Sequence, residues 1–266
     1  MNALTDNEFD NFRRFILDAA GLSLSPAKKA LVSGRLAKRL QVLKLASYSE
    51  YFALLKDAQD PDEVQTAIDL LTTNETYFFR EPRHFDFLRS IATAARPGKP
   101  PLRVWSAACS SGEEAYSMAM VLADCLNGGP FQVTGTDISV RMLRCAHTGH
   151  YPEQRTQHIP PAYLKRFCLR GMGKQAGTLL VDRSLRQHVS FLQANLNAPL
   201  PDLGSFDVIF LRNVMIYFSI ATKREVVGRV LANLKPGGYF CVGHTESLND
   251  VSSAVTQLAP SIYRKP

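Results

Sequence analysis

The spacing of apolar residues divides the chain into two parts. Up to about residue 71 they recur every three or four positions, as in Phe9, Phe12 and Ile16, which is the period of an amphipathic helix. Beyond residue 100 the apolar residues form short runs bounded by turn residues, which is typical of buried parallel strands. No strand pattern precedes residue 100. The sequence therefore predicts a small helical domain followed by an α/β domain.

The second of the four predicted N-terminal helices is strongly basic. Ser25-Pro26 predicts its start, and from there to Lys44 leucines alternate with lysines and arginines. Arg35, Lys38 and Arg39 recur at helical spacing and can share one face. Such a face is either simply solvated or docks on an acidic partner, and both interpretations stay open at this point.

The α/β domain opens with the stretch 102–114, which reads as strand, small-residue turn and helix start. This is the first βα unit of a doubly wound sheet. A second strand from Phe131 ends on Asp137, where an acid can hold the two hydroxyls of a ribose. Later strands are predicted at 189–192, 206–211, 239–242 and 261–263.

The turn of this first unit argues against a phosphate-bearing ligand. It has a single glycine, Gly112, and Glu113 and Glu114 stand where a pyrophosphate would bind. A ligand with a ribose, a positive charge and no phosphate, such as S-adenosylmethionine, fits better. The alternative is an ordinary α/β turn, because acidic residues favour helix starts in any protein.

Two segments break the regular pattern. The stretch 72–85 joins the two parts and carries Tyr77, Phe78 and Phe79, which a simple flexible linker would lack, so it is expected to pack against its neighbours. From about 155 to 188 the strand–helix alternation is replaced by a short helix, a Gly-rich turn and a strand at 178–181. We interpret this as a small β subdomain that either braces the core or docks a partner.

The composition is that of a soluble globular protein, with 45% apolar and 21% charged residues. No apolar run is long enough to span a membrane, and the first residues lack a signal-peptide pattern. The five cysteines are scattered, which argues against a metal site or a disulfide framework. We therefore expect a cytoplasmic protein without a bound metal. The net charge of +7 suggests an acidic partner: nucleic acid, protein or membrane surface.

Four stretches together closely resemble the CheR family of bacterial chemotaxis receptor methyltransferases: 72–81, 105–114, 212–218 and 234–240. The resemblance covers nearly the whole chain. It implies a class I S-adenosylmethionine-dependent methyltransferase fold of the α/β class, with a Rossmann-like doubly wound sheet. It also implies a helical N-terminal domain at 1–75, a linker and helix at 76–100, and a methyltransferase domain at 101–266 that holds the β subdomain.

The resemblance further implies methyl transfer from S-adenosylmethionine to glutamate side chains of chemoreceptors, with S-adenosylhomocysteine as product. The expected partners are acidic receptor helices at membrane-bound arrays and, through the β subdomain, a C-terminal receptor pentapeptide. We expect a monomer that neither inserts into membranes nor binds nucleic acid. Two alternatives remain: a nucleic-acid methyltransferase, and a non-catalytic module that binds S-adenosylmethionine and docks on receptors.

By the same resemblance, cofactor contacts come from the linker and from strand ends: Asn74, Thr76, Arg80, Glu113, Glu114, Asp137, Asn195, Leu196, Arg212 and Asn213. Which of the two glutamates holds the methionine ammonium group stays open. Arg80 and Tyr217 are expected to line the methyl-transfer site, and Arg35, Lys38 and Arg39 to contact the receptor. A glutamate is already ionised at neutral pH, so the reaction needs no general base; Arg80 is expected to orient the incoming carboxylate.

Overall fold

The structure is a computed structural model that describes residues 3–57, 60–95 and 100–266. Residues 1–2, 58–59 and 96–99 fall within the predicted N-terminal domain and linker and lie outside the described residues. Among the helices that are described, none combines the length and the apolar character needed to cross a membrane.

Four helices form the N-terminal part: α1 (Asp6–Ala20), α2 (Lys29–Leu43), α3 (Tyr48–Lys56) and α4 (Pro61–Leu71). Thr5 and Glu8 form a reciprocal capping box that fixes the start of α1. The predicted helix start at Ser25-Pro26 is displaced. A 3-10 turn (Pro26–Lys28) intervenes, and the Ser25 side chain makes no capping hydrogen bond, so the α-helix begins at Lys29.

The rest of the described chain alternates helices and strands. In order they are α5 (Arg83–Ala94), β1 (Leu102–Ser106), α6 (Glu113–Cys125), β2 (Phe131–Asp137), α7 (Val140–Thr148), β3 (His150–Pro152), α8 (Pro161–Phe167), β4 (Cys168–Arg170), β5 (Thr178–Val181), α9 (Arg183–Arg186), β6 (Val189–Gln193), β7 (Phe206–Leu211), α10 (Ile220–Ala232), β8 (Leu234–Val242), β9 (Thr256–Ala259) and β10 (Ile262–Arg264).

The main sheet confirms the predicted doubly wound α/β fold. Its order is β6-β2-β1-β7-β8-β10-β9, in which the first five strands are parallel and β10 runs antiparallel to both neighbours. Neighbouring residues of β1 face opposite sides: Val104 joins a core with α5, α6 and α7, and Trp105 joins a core with α10. Helices therefore cover both faces, as parallel strands require. The edge strand β9 was not predicted, because all four of its residues are exposed and carry no apolar pattern.

The interruption between β2 and β6 is a separate antiparallel sheet in the order β3-β5-β4. This confirms a small β subdomain inserted in the α/β domain. We call it the insert; it runs from β3 to β5 and includes α8 and β4. The buried ring of Tyr151 in β3 packs edge-on against Phe78 of the linker, with ring centres 5.0 Å apart. The aromatic cluster of the linker is therefore part of the packing interface between the insert and the core.

The helical part is fastened to the sheet where the strands end. Leu22 forms an isolated antiparallel bridge with Phe218, and Ser23 N donates to Tyr217 O at 2.8 Å. From the other side, Ser110 Oγ in the first βα turn donates to Asn74 O of the linker at 3.1 Å. The helical part and the linker thus close over the carboxyl ends of the parallel strands, where sheets of this type bind ligands.

Candidate active-site cleft

A cleft with about 1030 Å³ of empty space, its open mouth included, lies at the carboxyl ends of β1, β2 and β7. Its walls include the small residues Ala107 and Ala108 of the first βα turn, the linker, and Ala20 and Leu22 of the helical part, together with the loops that follow β2, β6 and β7. Its position at the strand ends suits a small-molecule site.

Ten of the eleven residues predicted to bind the cofactor or to act in catalysis line this single cleft: Asn74, Thr76, Arg80, Glu114, Asp137, Asn195, Leu196, Arg212, Asn213 and Tyr217. The eleventh, Glu113, does not. The three residues predicted to contact a receptor lie elsewhere, on α2.

Asp137 is held by the backbone at the end of β2. Its Oδ2 accepts from Ser110 N at 2.8 Å and its Oδ1 from Ser139 N at 2.9 Å. Burial raises the pKa of Asp137 to about 6, although these two backbone hydrogen bonds oppose the rise. Each oxygen keeps a further lone pair, so the carboxylate can still accept hydroxyl donors from a ligand in the cleft.

Glu114 and Arg212 form an ion pair in the lining of the cleft. Glu114 Oε2 lies 3.3 Å from Arg212 Nη1, and its Oε1 accepts from Ser106 Oγ at 2.6 Å. Burial raises the pKa of Glu114, while Arg212 and Ser106 oppose the rise. A half-buried carboxylate in a ligand cleft is suited to hold a cationic group.

Glu113 is separated from the cleft although it adjoins Glu114 in sequence. Its side chain is fully buried, accepts from Ser111 Oγ at 2.8 Å and forms an ion pair with Arg155 of the insert. Burial raises the pKa of Glu113, and Arg155 opposes the rise. The ambiguity between the two glutamates is thus reduced, because Glu114 alone of the pair lines the cleft.

The linker places Arg80 at the cleft. Arg80 Nη1 donates to Glu75 O at 2.9 Å, and its guanidinium carbon lies 5.7 Å from the centre of the Tyr77 ring. It forms no ion pair with any described residue, so a salt bridge to Glu81 or Asp86, which would make it merely structural, is not seen. Its guanidinium therefore keeps donors for an incoming anion.

Two glutamates that sequence reasoning missed shape the loop after β7. Asn213 has a left-handed backbone (φ 58°) and donates its N–H to Glu246 Oε2 at 2.8 Å and its side-chain amide to Glu81 Oε1 at 3.0 Å. Glu81 also lies 3.1 Å from Arg212 Nη2. The only sequence signal for Glu81 is its place beside Arg80 in the stretch 72–81, and Glu246 lies in none of the four stretches that carry the resemblance.

Glu81, His84 and His244 bring potential metal ligands within 4.8 Å of one another. Burial lowers the pKa of His84 to about 3, so its imidazole is neutral at ordinary pH. However, the Glu81 oxygen nearest both histidines is the one that binds Arg212. A metal ion would have to compete with that guanidinium for the same oxygen.

Two further cleft residues are engaged with the helical part. Asn195 Nδ2 donates to Ala19 O at 2.7 Å, and Tyr217 O accepts from Ser23 N at 2.8 Å. The side-chain amide of Asn195, predicted to contact adenine, is therefore already committed to α1. The Tyr217 hydroxyl, by contrast, has no hydrogen-bond partner among the described residues.

On α2, two of the three predicted receptor contacts stabilise the helical part itself. Arg35 Nη1 donates to Thr72 O at 2.8 Å and to Leu70 O at 3.1 Å, and Arg39 pairs with the buried Glu63. Lys38 is exposed and makes no ion pair with any described residue. Both arginines are half-buried and bound to α4 or to the residue that follows it, whereas Lys38 is the exposed member of the three. The receptor contacts of all three stay a prediction.

The residues of the cleft are suited to bind and orient ligands rather than to act as a general base. The cleft supplies the carboxylates of Asp137 and Glu114, a tyrosine hydroxyl, and an arginine that has no ion-pair partner in the described part of the chain. The nearest thiol, Cys109, is buried, and burial raises its pKa well above the ordinary value, so it is no nucleophile. This set suits a reaction in which the substrate brings its own nucleophile.

The sequence matches two family models. One, described as CheR methyltransferase, all-alpha domain, covers residues 7–72, and the other, described as CheR methyltransferase, SAM binding domain, covers residues 74–263. Chemotaxis protein methyltransferase 2 of Pseudomonas aeruginosa is 40% identical, covering 97% of this chain and 93% of that protein. Chemotaxis protein methyltransferase of Escherichia coli is 39% identical, covering 98% and 91%, and that of Borreliella burgdorferi is 33% identical, covering 98% and 95%.

Proposed function

The chain belongs to the CheR methyltransferase family, and from this premise we propose that it transfers the methyl group of S-adenosylmethionine to glutamate side chains of chemoreceptors. The products are glutamate 5-O-methyl esters and S-adenosylhomocysteine, and the reaction serves sensory adaptation in chemotaxis. The observation that carries the proposal is the convergence of Glu114, Asp137, Arg80 and Tyr217 on one cleft.

The residues of the cleft fit S-adenosylmethionine. In this proposal Asp137, at the end of the second strand, accepts the ribose hydroxyls, and Glu114 holds the methionine ammonium group. Leu196 and Ala194 supply apolar contacts for an adenine ring, and Asn74, Thr76 and Asn213 complete the polar lining. The two buried carboxylates would repel a phosphate, which this cofactor lacks.

When bound, S-adenosylmethionine supplies a methyl group on a positively charged sulfur, which a carboxylate displaces with release of a neutral thioether. The substrate glutamate is already ionised, so the protein's part is orientation and exclusion of water. Arg80 aligns the substrate carboxylate through its free N–H groups. Tyr217 donates its hydroxyl to the same carboxylate or closes over the cofactor.

Arg212 is assigned a different role from Arg80. Its side chain is buried, lies against Phe85 and Phe210, and is held between Glu81 and Glu114. Two carboxylates already share its charge, so it orients Glu114 rather than the substrate. The same pairing opposes the rise in the pKa of Glu114 that burial causes.

The insert is the proposed docking site for a C-terminal receptor pentapeptide. In the small sheet β3 and β4 are edge strands, which can accept an added strand. Leu169 within β4 is 52% exposed and Met172, two residues after β4, is 84% exposed, so both can contact apolar side chains of such a peptide. We propose further that the protein acts as a monomer in the cytoplasm, recruited to receptor arrays.

Labelled methyl transfer tests the whole proposal. The protein is incubated with labelled S-adenosylmethionine and chemoreceptor-containing membranes, and the product is treated with base. Base-labile label on the receptor band is expected, because methyl esters hydrolyse. Base-stable label, label on added nucleic acid, or binding of the cofactor without any transfer would contradict the proposal and favour the nucleic-acid or non-catalytic alternative.

A further inference from the structure

Arg155 of the insert contacts three segments around the first βα turn. It ends the 3-10 turn Glu153–Arg155, and its Nη2 lies 3.0 Å from Ser111 Oγ and 3.4 Å from Thr76 O. The same nitrogen forms the ion pair with Glu113. One guanidinium therefore joins the insert to the linker, to the turn and to the first residue of α6.

This ion pair is asymmetric. The side chain of Glu113 is fully enclosed, whereas that of Arg155 is 39% exposed. A buried carboxylate remains ionised only when it is paired, so Arg155 decides whether Glu113 carries its charge. Tyr151 and Cys109 are the other titratable groups that sense this charge, and burial raises the pKa of each well above its ordinary value, so both stay neutral.

Glu113 in turn fixes the backbone that presents the cofactor ligands. Ser117 Oγ donates to Glu113 O at 2.7 Å and accepts from Phe79 N at 3.0 Å, which fastens the linker to the start of α6. Glu113 lies between the turn, whose Ser110 N holds Asp137, and the cleft residue Glu114. A displaced Glu113 would therefore move the groups that face the ligand.

We propose that Arg155 is a positioning residue for cofactor binding. By pairing with Glu113 it holds the first βα turn and the start of α6 in the shape that presents Glu114 and Asp137 to the cleft. The inference rests on the proposed function only in taking S-adenosylhomocysteine as a ligand of the cleft. It gives the insert a part in cofactor binding that is separate from any docking of a receptor.

Titration calorimetry with S-adenosylhomocysteine at several pH values tests this role in the full chain. Arg155→Ala should weaken binding by about tenfold at neutral pH, the scale of coupling between residues in contact. The loss should grow as pH rises, because the buried carboxylate then ionises without a partner. In the double variant Glu113→Gln/Arg155→Ala no carboxylate is left unpaired, so affinity should return towards that of the wild type and the added pH dependence should vanish.

The matched control is Arg166→Ala. Arg166 also joins the insert to α6, through Asp124 at 2.7 Å, but at the far end of the helix from the turn. It should bind the ligand like the wild type.

Equal affinity of Arg155→Ala and wild type, or equal losses in the Arg155 and Arg166 variants, would overturn the inference. If Arg155→Ala does not fold, the double variant decides: continued weak binding overturns the inference and recovery supports it. A wild-type protein that binds no S-adenosylhomocysteine would instead overturn the proposed function.

Discussion

Glu113 and Glu114 are consecutive residues, but their carboxylates lie in different environments. That of Glu114 lines the cleft and lies 3.3 Å from Arg212 Nη1, whereas that of Glu113 is fully enclosed and pairs with Arg155. The first turn of a helix directs neighbouring side chains about 100° apart, which is enough to send one into a ligand site and the other into the protein. Substitution of Glu114 is therefore expected to act directly on ligand binding, and substitution of Glu113 only through the structure around it.

Glu114→Gln is expected to weaken S-adenosylhomocysteine binding by about tenfold or more, because the ligand's ammonium group loses a charged partner. Methylthioadenosine, which lacks that group, serves as the control ligand in the same calorimetric measurement. Its affinity should hardly change. An equal loss for both ligands would show that the substitution damages the cleft in general and that Glu114 does not contact the ammonium group.

Asp137→Ala is expected to weaken binding of the same ligand by about 1–3 kcal/mol, the size of a lost charge-assisted hydrogen-bond set. The reason is the position of the carboxylate at the end of β2, where its free lone pairs face the cleft. Calorimetry measures the change. Unaltered affinity would remove Asp137 from the cofactor site.

The raised pKa of Asp137, about 6, also predicts a pH dependence. Ribose hydroxyls donate to the ionised carboxylate, so the affinity should be full above this pKa and should fall as the pH drops through it. Asp137→Asn cannot titrate and should show a flatter profile between about pH 5 and pH 8. If the Asn variant keeps the wild-type slope, another group is responsible for it.

Arg80→Ala is expected to lower the methylation rate by about 10²-fold, the cost of a misplaced reacting group. Protein stability should change little, since among the described residues the Arg80 side chain hydrogen-bonds only to the Glu75 carbonyl and lies over only the Tyr77 ring. Arg83→Ala is the control, because Arg83 is exposed and lies outside the cleft. Receptor methylation at saturating cofactor measures both variants, and equal rates for them would contradict an orienting role.

On α2 the structure separates stability from docking. Arg39→Ala should lower the free energy of unfolding by about 1–3 kcal/mol, because it leaves the buried carboxylate of Glu63 without its cation. Lys38→Ala should change it by less than about 0.5 kcal/mol, as expected for an exposed side chain. Urea unfolding of both variants measures the difference. Equal unfolding curves would mean that the Arg39–Glu63 pair contributes nothing.

Receptor docking is better tested at Lys38 than at the arginines. Lys38→Glu should raise the KM for receptor about two- to fivefold at low salt, the scale of one exposed charge, with no change in cofactor affinity. Added salt should reduce the difference, since exposed charges are screened. Lys56→Glu, on α3 of the same helical part, is the matched control. If both reversals act equally, net charge matters and the α2 face does not.

The features that the sequence revealed are local ones. The apolar runs of β1, β2 and β7, the small-residue turn and the acid that ends β2 each occupy a few consecutive positions, so the fold and most of the cleft followed from pattern and resemblance. The bounds of β5 and β7 agree with the prediction to the residue. Helix ends such as the start of α2 were less accurate, because 3-10 turns are frequent at helix N-termini and three residues are too few to show a period of their own.

The features that the sequence concealed depend on partners far along the chain. Glu113 meets Arg155 from another subdomain, Glu81 meets Arg212 and Asn213 more than a hundred residues away, and Arg39 meets Glu63 on a neighbouring helix. Charged residues with such partners resemble solvated surface residues in a sequence. Their roles appear only when the fold brings them together.

The contacts of Leu22 and Ser23 with the loop around Tyr217 affect the design of truncated and chimeric forms of this protein. Because Ala20 and Leu22 form one wall of the cleft, a fragment that starts after the linker would retain the sheet but would have an open, incomplete pocket. Exchange of the helical part between relatives would therefore alter cofactor affinity as well as receptor choice. A chimera that is meant to change only the receptor should exchange individual surface residues of α2, such as Lys38. It should keep residues 19–24 and the α/β domain from the same protein.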